Sequence, residues 1–168
     1  VESSQPVTVT QRVRQQFNQE IITGKGMNGI GKEFYLASQT EIESTVTGNF
    51  TNYHGLHYVS IVALEDSTEI LIKASTGNTF TNGMDSVTFQ LNRGESWVST
   101  MQDDKVLLGT KVTSNRPIAV TAGGNHLKTS SAINADAGID QVTPTEHLGV
   151  KHVVLRGCAN YPQDYFMY

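Results

Sequence analysis

At 168 residues the chain is long enough for one packed domain, and its charged share of 17% lies below the ordinary level of about 25%. A formal net charge of −4 without any basic run argues against a nucleic-acid footprint or an anionic-membrane anchor, and no apolar run reaches the ~20 residues needed to span a bilayer. Cys158 is the only cysteine, so no internal disulfide and no cysteine-built metal cluster can form, and its thiol is expected to behave as a small buried hydrophobe.

The missing charge is replaced by Thr, Ser, Asn, Gln and Gly, a balance that suits a β-rich domain with polar turns. Residues 1–30 read as an arm or linker. Val9, Val13, Phe17 and Ile21 recur every fourth position, as on one face of a short helix, whereas Val7-Thr8-Val9-Thr10 alternates as an extended arm would. Both readings stay open. Gly24, Gly26, Gly29 and Gly31 then interrupt any regular structure.

From Lys32 the pattern is strand after strand. Glu33 to Ser38 predicts a first strand, and the apolar run Tyr58 to Leu64 predicts one that is central or buried on both faces. Glu65-Asp66-Ser67 predicts a turn and Thr68 to Ser75 a return, so the pair reads as an antiparallel hairpin. Val87, Phe89 and Leu91 are expected to face inward and Thr88, Gln90 and Asn92 outward. Arg93-Gly94-Glu95 turns the chain into Ser96–Thr100, where Trp97 is expected as a core plug and not as a sugar-stacking platform. Asp103-Asp104 marks a further turn. Val112 begins another alternation, Asn115-Arg116-Pro117 reads as a hairpin turn, and Ile118, Val120 and Ala122 form the next inward face. A polar, acidic loop is expected over 125–143, then a last strand from His152 to Leu155. Short strands at turn-punctuated spacing without interleaved helices predict an all-β antiparallel sandwich, Ig-like or jelly-roll-like, over 31–157, preceded by an irregular or short helical segment. Residues 158–168 end on an aromatic run that resembles the opening of a further strand, so another module is expected downstream.

Catalytic patterns are scarce. The sequence holds no G-x-S-x-G elbow, phosphate-binding G-x-x-x-x-G-K loop or H-E-x-x-H motif. His54 and His57 flank Gly55 among turn residues and are expected in an exposed loop; His147 and His152 are scattered. The loop after Gly124 is the expected binding surface, since rigid sandwiches display function on loops. Its candidate residues are Asn125, His126, Asn134, Asp136, Asp140 and Gln141. The one cofactor it could take is calcium, on the hard oxygens of Asp136 and Asp140; the competing reading is that these residues cap turns.

Five pieces in order resemble the N-terminal domain of the IgG Fc-binding protein family. Gly31-Lys-Glu-Phe-Tyr-Leu-Ala37 is similar to its first strand, G-x-E-F-x-x-A, and Ala63-Leu-Glu-Asp-Ser-Thr-Glu-Ile70 to an acidic turn followed by a β-branched strand. Leu91-Asn-Arg-Gly-Glu-Ser96, Val112-Thr-Ser-Asn-Arg-Pro-Ile-Ala-Val120 and Pro144-Thr-Glu-His-Leu-Gly149 resemble L-x-x-G-E/Q-S/T, V-x-S-x-x-P-I-x-V and P-x-x-x-L-G. After Gly149 the chain departs from the pattern: Val150-Lys151-His152 stands where the family has aromatics, and one cysteine contrasts with the cysteine-rich modules around animal members. The resemblance implies a Bacteroidetes-type surface member, exported and multidomain, and a non-catalytic adhesion module for a host or matrix glycoprotein. Its partner would be a protein or glycan ligand and not nucleic acid. A structural spacer domain is the alternative, and a carbohydrate-active hydrolase the third.

Overall fold

Alternation in the sequence becomes antiparallel sheet in a computed structural model, which describes residues 3–14, 19–37, 56–80, 82–102, 107–127 and 136–151. The strands are β1 Thr10–Arg14, β2 Gln19–Thr23, β3 Ile30–Tyr35, β4 Leu56–Ala63, β5 Thr68–Lys73, β6 Ser86–Leu91, β7 Ser96–Gln102, β8 Lys111–Leu127 and β9 Asp136–Gln141. β1 and β2 form a separate hairpin, and the other seven form one sheet. Of the two readings for the N-terminal arm, the extended one forms among the described residues: Val13 and Ile21 lie on β-strands, and a 3-10 turn follows at Gly26–Gly29.

The pairing registers show how the large sheet closes. β8 runs through the whole of the seven-stranded sheet. Its first part pairs with β5 (Ile72↔Val112) and its second with β4 (Ile61↔Val120), so β4 and β5 lie end to end along one side. β7 and β6 continue this arrangement outward, β7 on β4 and β6 on β5. Along the opposite side of β8, β3 and β9 likewise lie end to end. The sheet is thus four strand lines wide and creased at one level, through 64–67, 92–95 and 114–117. Its two halves curl toward each other in the manner of a sandwich whose strands pass from one layer to the other at bends.

Inward positions from both halves form one core. Phe34, Leu36, Ile70, Ile72, Phe80, Leu91, Leu107 and Val112 come from one half, and Val59, Ile61, Ala63, Ile118, Val120 and Ala122 from the other. Trp97 on β7 stacks on Phe89 of β6 with ring centroids 4.4 Å apart, joining the halves across the crease as a partly buried plug.

Three local expectations change. Asn115-Arg116-Pro117 is no hairpin turn, because β8 runs straight through it. The extra residues bulge out of the β3 ladder between Gly31 and Glu33, where a proline without an N–H is tolerated. Their polar groups are used: the Ser114 hydroxyl donates to the Arg116 carbonyl at 2.7 Å, Asn115 Oδ1 accepts from Glu69 N–H at 2.9 Å, and Leu64 N–H donates to the Pro117 carbonyl at 3.3 Å. β4 and β5 do not pair with each other as a hairpin, since each takes β8 as partner across the 64–67 bend. β4 is central but not buried on both faces, with Val62 38% exposed. Of the loop expected over 125–143, residues 125–127 and 136–141 are strand, on β8 and its partner β9. Asp103-Asp104, the strand expected at His152–Leu155, His54 and Cys158 lie outside the described residues.

Candidate functional site

Between the far end of β3 and the C-terminal end of β9 lies a hollow of about 440 Å³ lined by Tyr35, Leu36, Leu108, Ala122, Val142 and Leu148, together with Lys25 and Asp140. The volume lies within the ~300–1,000 Å³ typical of ligand pockets. The lining joins core residues to exposed ones. Leu36 and Ala122 belong to the core, whereas Tyr35, between inward Phe34 and Leu36, is 51% exposed, and Leu148, beyond the 3-10 turn Thr145–His147, is 54% exposed.

The rim is held by polar contacts. Lys25 Nζ pairs with Asp140 Oδ2 at 2.9 Å and also donates to the Gln141 carbonyl, while Lys25 N–H donates to Gln141 Oε1 at 2.6 Å. Gly29 lies against this knot, where a Cβ would displace the Gln141 amide. Lys111 pairs with Glu33 at 2.9 Å and lies over the Tyr35 ring, 5.2 Å from its centroid. The hydrogen bond to Glu33, followed by that to Tyr35, raises the Lys111 pKa, so it stays a cation over the aromatic face. On the outer face of β4, burial pushes the Tyr58 phenol up to about 12, with the Glu20 carboxylate of β2 adding to the rise.

The expected site residues separate. Asp140 and Gln141 belong to this rim. Asn125 is structural, its Oδ1 accepting the Leu56 N–H at 2.6 Å where β4 begins. His126 sits on β8 and Asp136 starts β9; Asn134 lies outside the described residues. Asp136 and Asp140 stand four residues apart on one extended strand, their backbones about 14 Å apart at ~3.4 Å per residue. Among the described residues no group of three His, Cys, Asp or Glu comes together to hold a metal. Tyr35, Lys111, Lys25 and Leu148 were not singled out from sequence; only the parity of Tyr35 against Phe34 could have marked one of them.

His57 corrects an expectation. It lies not in an exposed loop but on β4, fully buried, and neither ring nitrogen meets a hydrogen-bond partner among the described residues. It follows the inward parity of Val59, Ile61 and Ala63. Burial lowers its pKa, so the ring is held neutral. His147 is exposed, its Nδ1 3.4 Å from the Asn28 carbonyl, and does not converge with His57 on a site.

No helix among the described residues is long and apolar enough to cross a membrane. No curated protein and no solved structure matches the chain. The model of one family, described as IgGFc binding protein, matches residues 25–167, and the chain belongs to that family.

Proposed function

We propose that the chain is a non-catalytic binding module of an exported cell-surface or secreted protein, and that it recognises a protein or glycoprotein ligand of a host or matrix. Membership of a family of binding modules, typically extracellular, supports the general part of this reading. The observation that carries it to a place is the β3–β9 seam. Exposed Tyr35 and Leu148 flank an apolar hollow, with the Lys25–Asp140 pair in its lining and Lys111, paired with Glu33, over the Tyr35 ring. An aromatic and aliphatic centre with a charged rim is the anatomy of a protein-binding patch. A glycosidase would need two opposed carboxyls. This hollow and the shallow one over β5, β6 and β8 hold one carboxylate each, Asp140 and Glu69.

The test is saturable binding of the chain to arrayed mucins, matrix glycoproteins, released glycans and IgG Fc, repeated with the Tyr35→Ala/Leu148→Arg variant. Binding to one class that drops at least about tenfold in the variant, at an unchanged Tm, supports the reading. Absence of saturable binding to every array overturns it and leaves the spacer domain.

A further inference from the structure

The two edges of the curled sheet are finished differently. On the β3–β9 edge the exposed backbone is taken. Glu146 Oε1 accepts the Lys32 N–H at 2.8 Å, the Thr145 hydroxyl donates to the Glu33 carbonyl at 3.3 Å, and Gly31 lies so close to Pro144 that a Cβ would collide with its ring. Partial burial pushes the Glu146 carboxyl up, but hydrogen bonds from its own N–H and that of Lys32 outweigh it and hold the pKa below its usual value. β2 packs along β9.

Among the described residues the opposite edge carries no such cover. β6 pairs with β5 on one side and, among the described residues, with no strand on the other. From Ser86 to Asn92 its sequence, SVTFQLN, contains neither a charge nor a proline. An edge of this kind accepts another extended chain unless charge, proline, a bulge or a covering segment prevents it. Charge stands instead at the two ends: Asp85 and Arg93 are both exposed, and neither side chain has an ion-pair partner among the described residues.

We propose that β6 is a self-docking edge, at which two copies of this chain pair β6 to β6, antiparallel about a two-fold axis through Phe89, and merge their sheets. Strand parity and charge fix the register. Val87, Phe89 and Leu91 face the core side and Thr88 and Gln90 face solvent. Residues directly opposite in an antiparallel pair share a face, so odd positions must meet odd positions for the two inner faces to be continuous. Among such registers, centring on Phe89 sets Val87 opposite Leu91, Thr88 opposite Gln90, and Asp85 opposite Arg93 of the second copy, twice over by symmetry. Sliding by two residues one way brings Asp85 to Glu95, a like charge; the other way brings it to apolar Leu91 and leaves Arg93 facing Gly83. The interface is isologous, so it closes at two copies.

Sedimentation equilibrium of the chain across a wide concentration range, at low and high salt, tests this with Arg93→Asp, Asp85→Arg and the double D85R/R93D variant. The expected result is a dimer of twice the chain mass. Each single reversal should weaken it by about tenfold or more, because symmetry converts two attractions into two repulsions at once, and the double variant should return to within about threefold of the starting affinity. Unchanged Tm values confirm that the exposed substitutions leave the fold intact. A monomer at every concentration, an open polymer, a dimer indifferent to the single reversals, or a loss that the double variant does not recover would each overturn the pairing.

Discussion

The two halves of the curled sheet are filled by different means. In the half made of β3, β5, β6 and the first part of β8, volume comes from large side chains: Phe34, Leu36, Ile70, Ile72, Leu107 and Val112 are all at most 1% exposed. In the half made of β4, β7, β9 and the rest of β8, the inward positions of β8 shrink away from the crease, from Ile118 and Val120 to Ala122 and Gly124, opposite Ala63, Ile61, Val59 and His57 of β4. One row across it runs Met101, His57, Gly124, Gly138, placing two residues without side chains beside a buried imidazole. Leu127 methyls fill the space over both glycines. The first half is therefore specified by side-chain volume throughout, whereas the second, filled by Val59, Ile61, Ile118 and Val120 nearer the crease, is specified at its β9 end by close backbone approach. The first is damaged by removing atoms and the glycine end of the second by adding them.

The largest effect should come from truncation in the first half. Phe34→Ala deletes a fully buried ring that pairs with Val112, and is expected to lower unfolding free energy by about 3–5 kcal/mol in urea titration. A loss under about 1 kcal/mol would mean that this half does not hold its shape by volume. The converse experiment is Gly123→Ala. Its Cβ would collide with the Gly138 carbonyl and lie 2.8 Å from Ile139 Cα, both backbone atoms that cannot swing aside. The expected cost is about 1–3 kcal/mol, with hydrogen exchange loosened first between β8 and β9. Stabilisation of the kind usual for Gly→Ala at a permissive site would contradict the close-approach account.

His57 sharpens the contrast through pH. Its folded pKa lies below the unfolded value of 6.5, so as pH falls through about 6.5 the unfolded chain takes up a proton that the fold resists. Stability must then decline from pH 7 toward pH 5, the loss ending only below the folded pKa. His57→Leu removes two unpartnered ring nitrogens, and should raise stability by roughly 1 kcal/mol at pH 7 and by more at pH 5. Melting curves of both proteins at the two pH values decide it: equal gains at both would remove His57 from the pH response.

These contrasts also show what could be read from the chain in advance. Alternation was legible wherever one face alone is buried, as at Val87, Phe89 and Leu91 or Ile118, Val120 and Ala122, and five short motifs in order were enough to suggest the family that the match over 25–167 bears out. Pairing was not legible, because a strand's partner is a tertiary fact. Asn115-Arg116-Pro117 has turn chemistry, yet the chain stays extended there because β5 hands over to β4 on one side while the bulge absorbs the proline on the other. Asp136–Gln141 carries few apolar residues, so its strand character depends on β8. The rim partners Lys25 and Asp140 are far apart in sequence and meet only through the end-to-end placement of β9 and β3. His57 was hidden by its polar neighbours, although extending the Val59–Ala63 parity by one step would have placed it inside.

The crease between the halves should be nearly indifferent to its most visible contact. Arg116 pairs with Glu65 at 3.1 Å, joining the β8 bulge to the β4–β5 bend, but the two side chains are 47% and 49% exposed. An ion pair that open gains little over its hydrated separated ions and is screened by salt, so Arg116→Ala should cost at most about 1 kcal/mol, and less in high salt. The crease rests on backbone partners instead. Asn115 Oδ1 satisfies the Glu69 N–H, and Leu64 N–H reaches the Pro117 carbonyl. Asn115→Ala should accordingly cost more than Arg116→Ala under the same conditions, without the salt dependence. If urea midpoints rank the two the other way, the bend is held by charge, and the halves are coupled more loosely than their shared backbone implies.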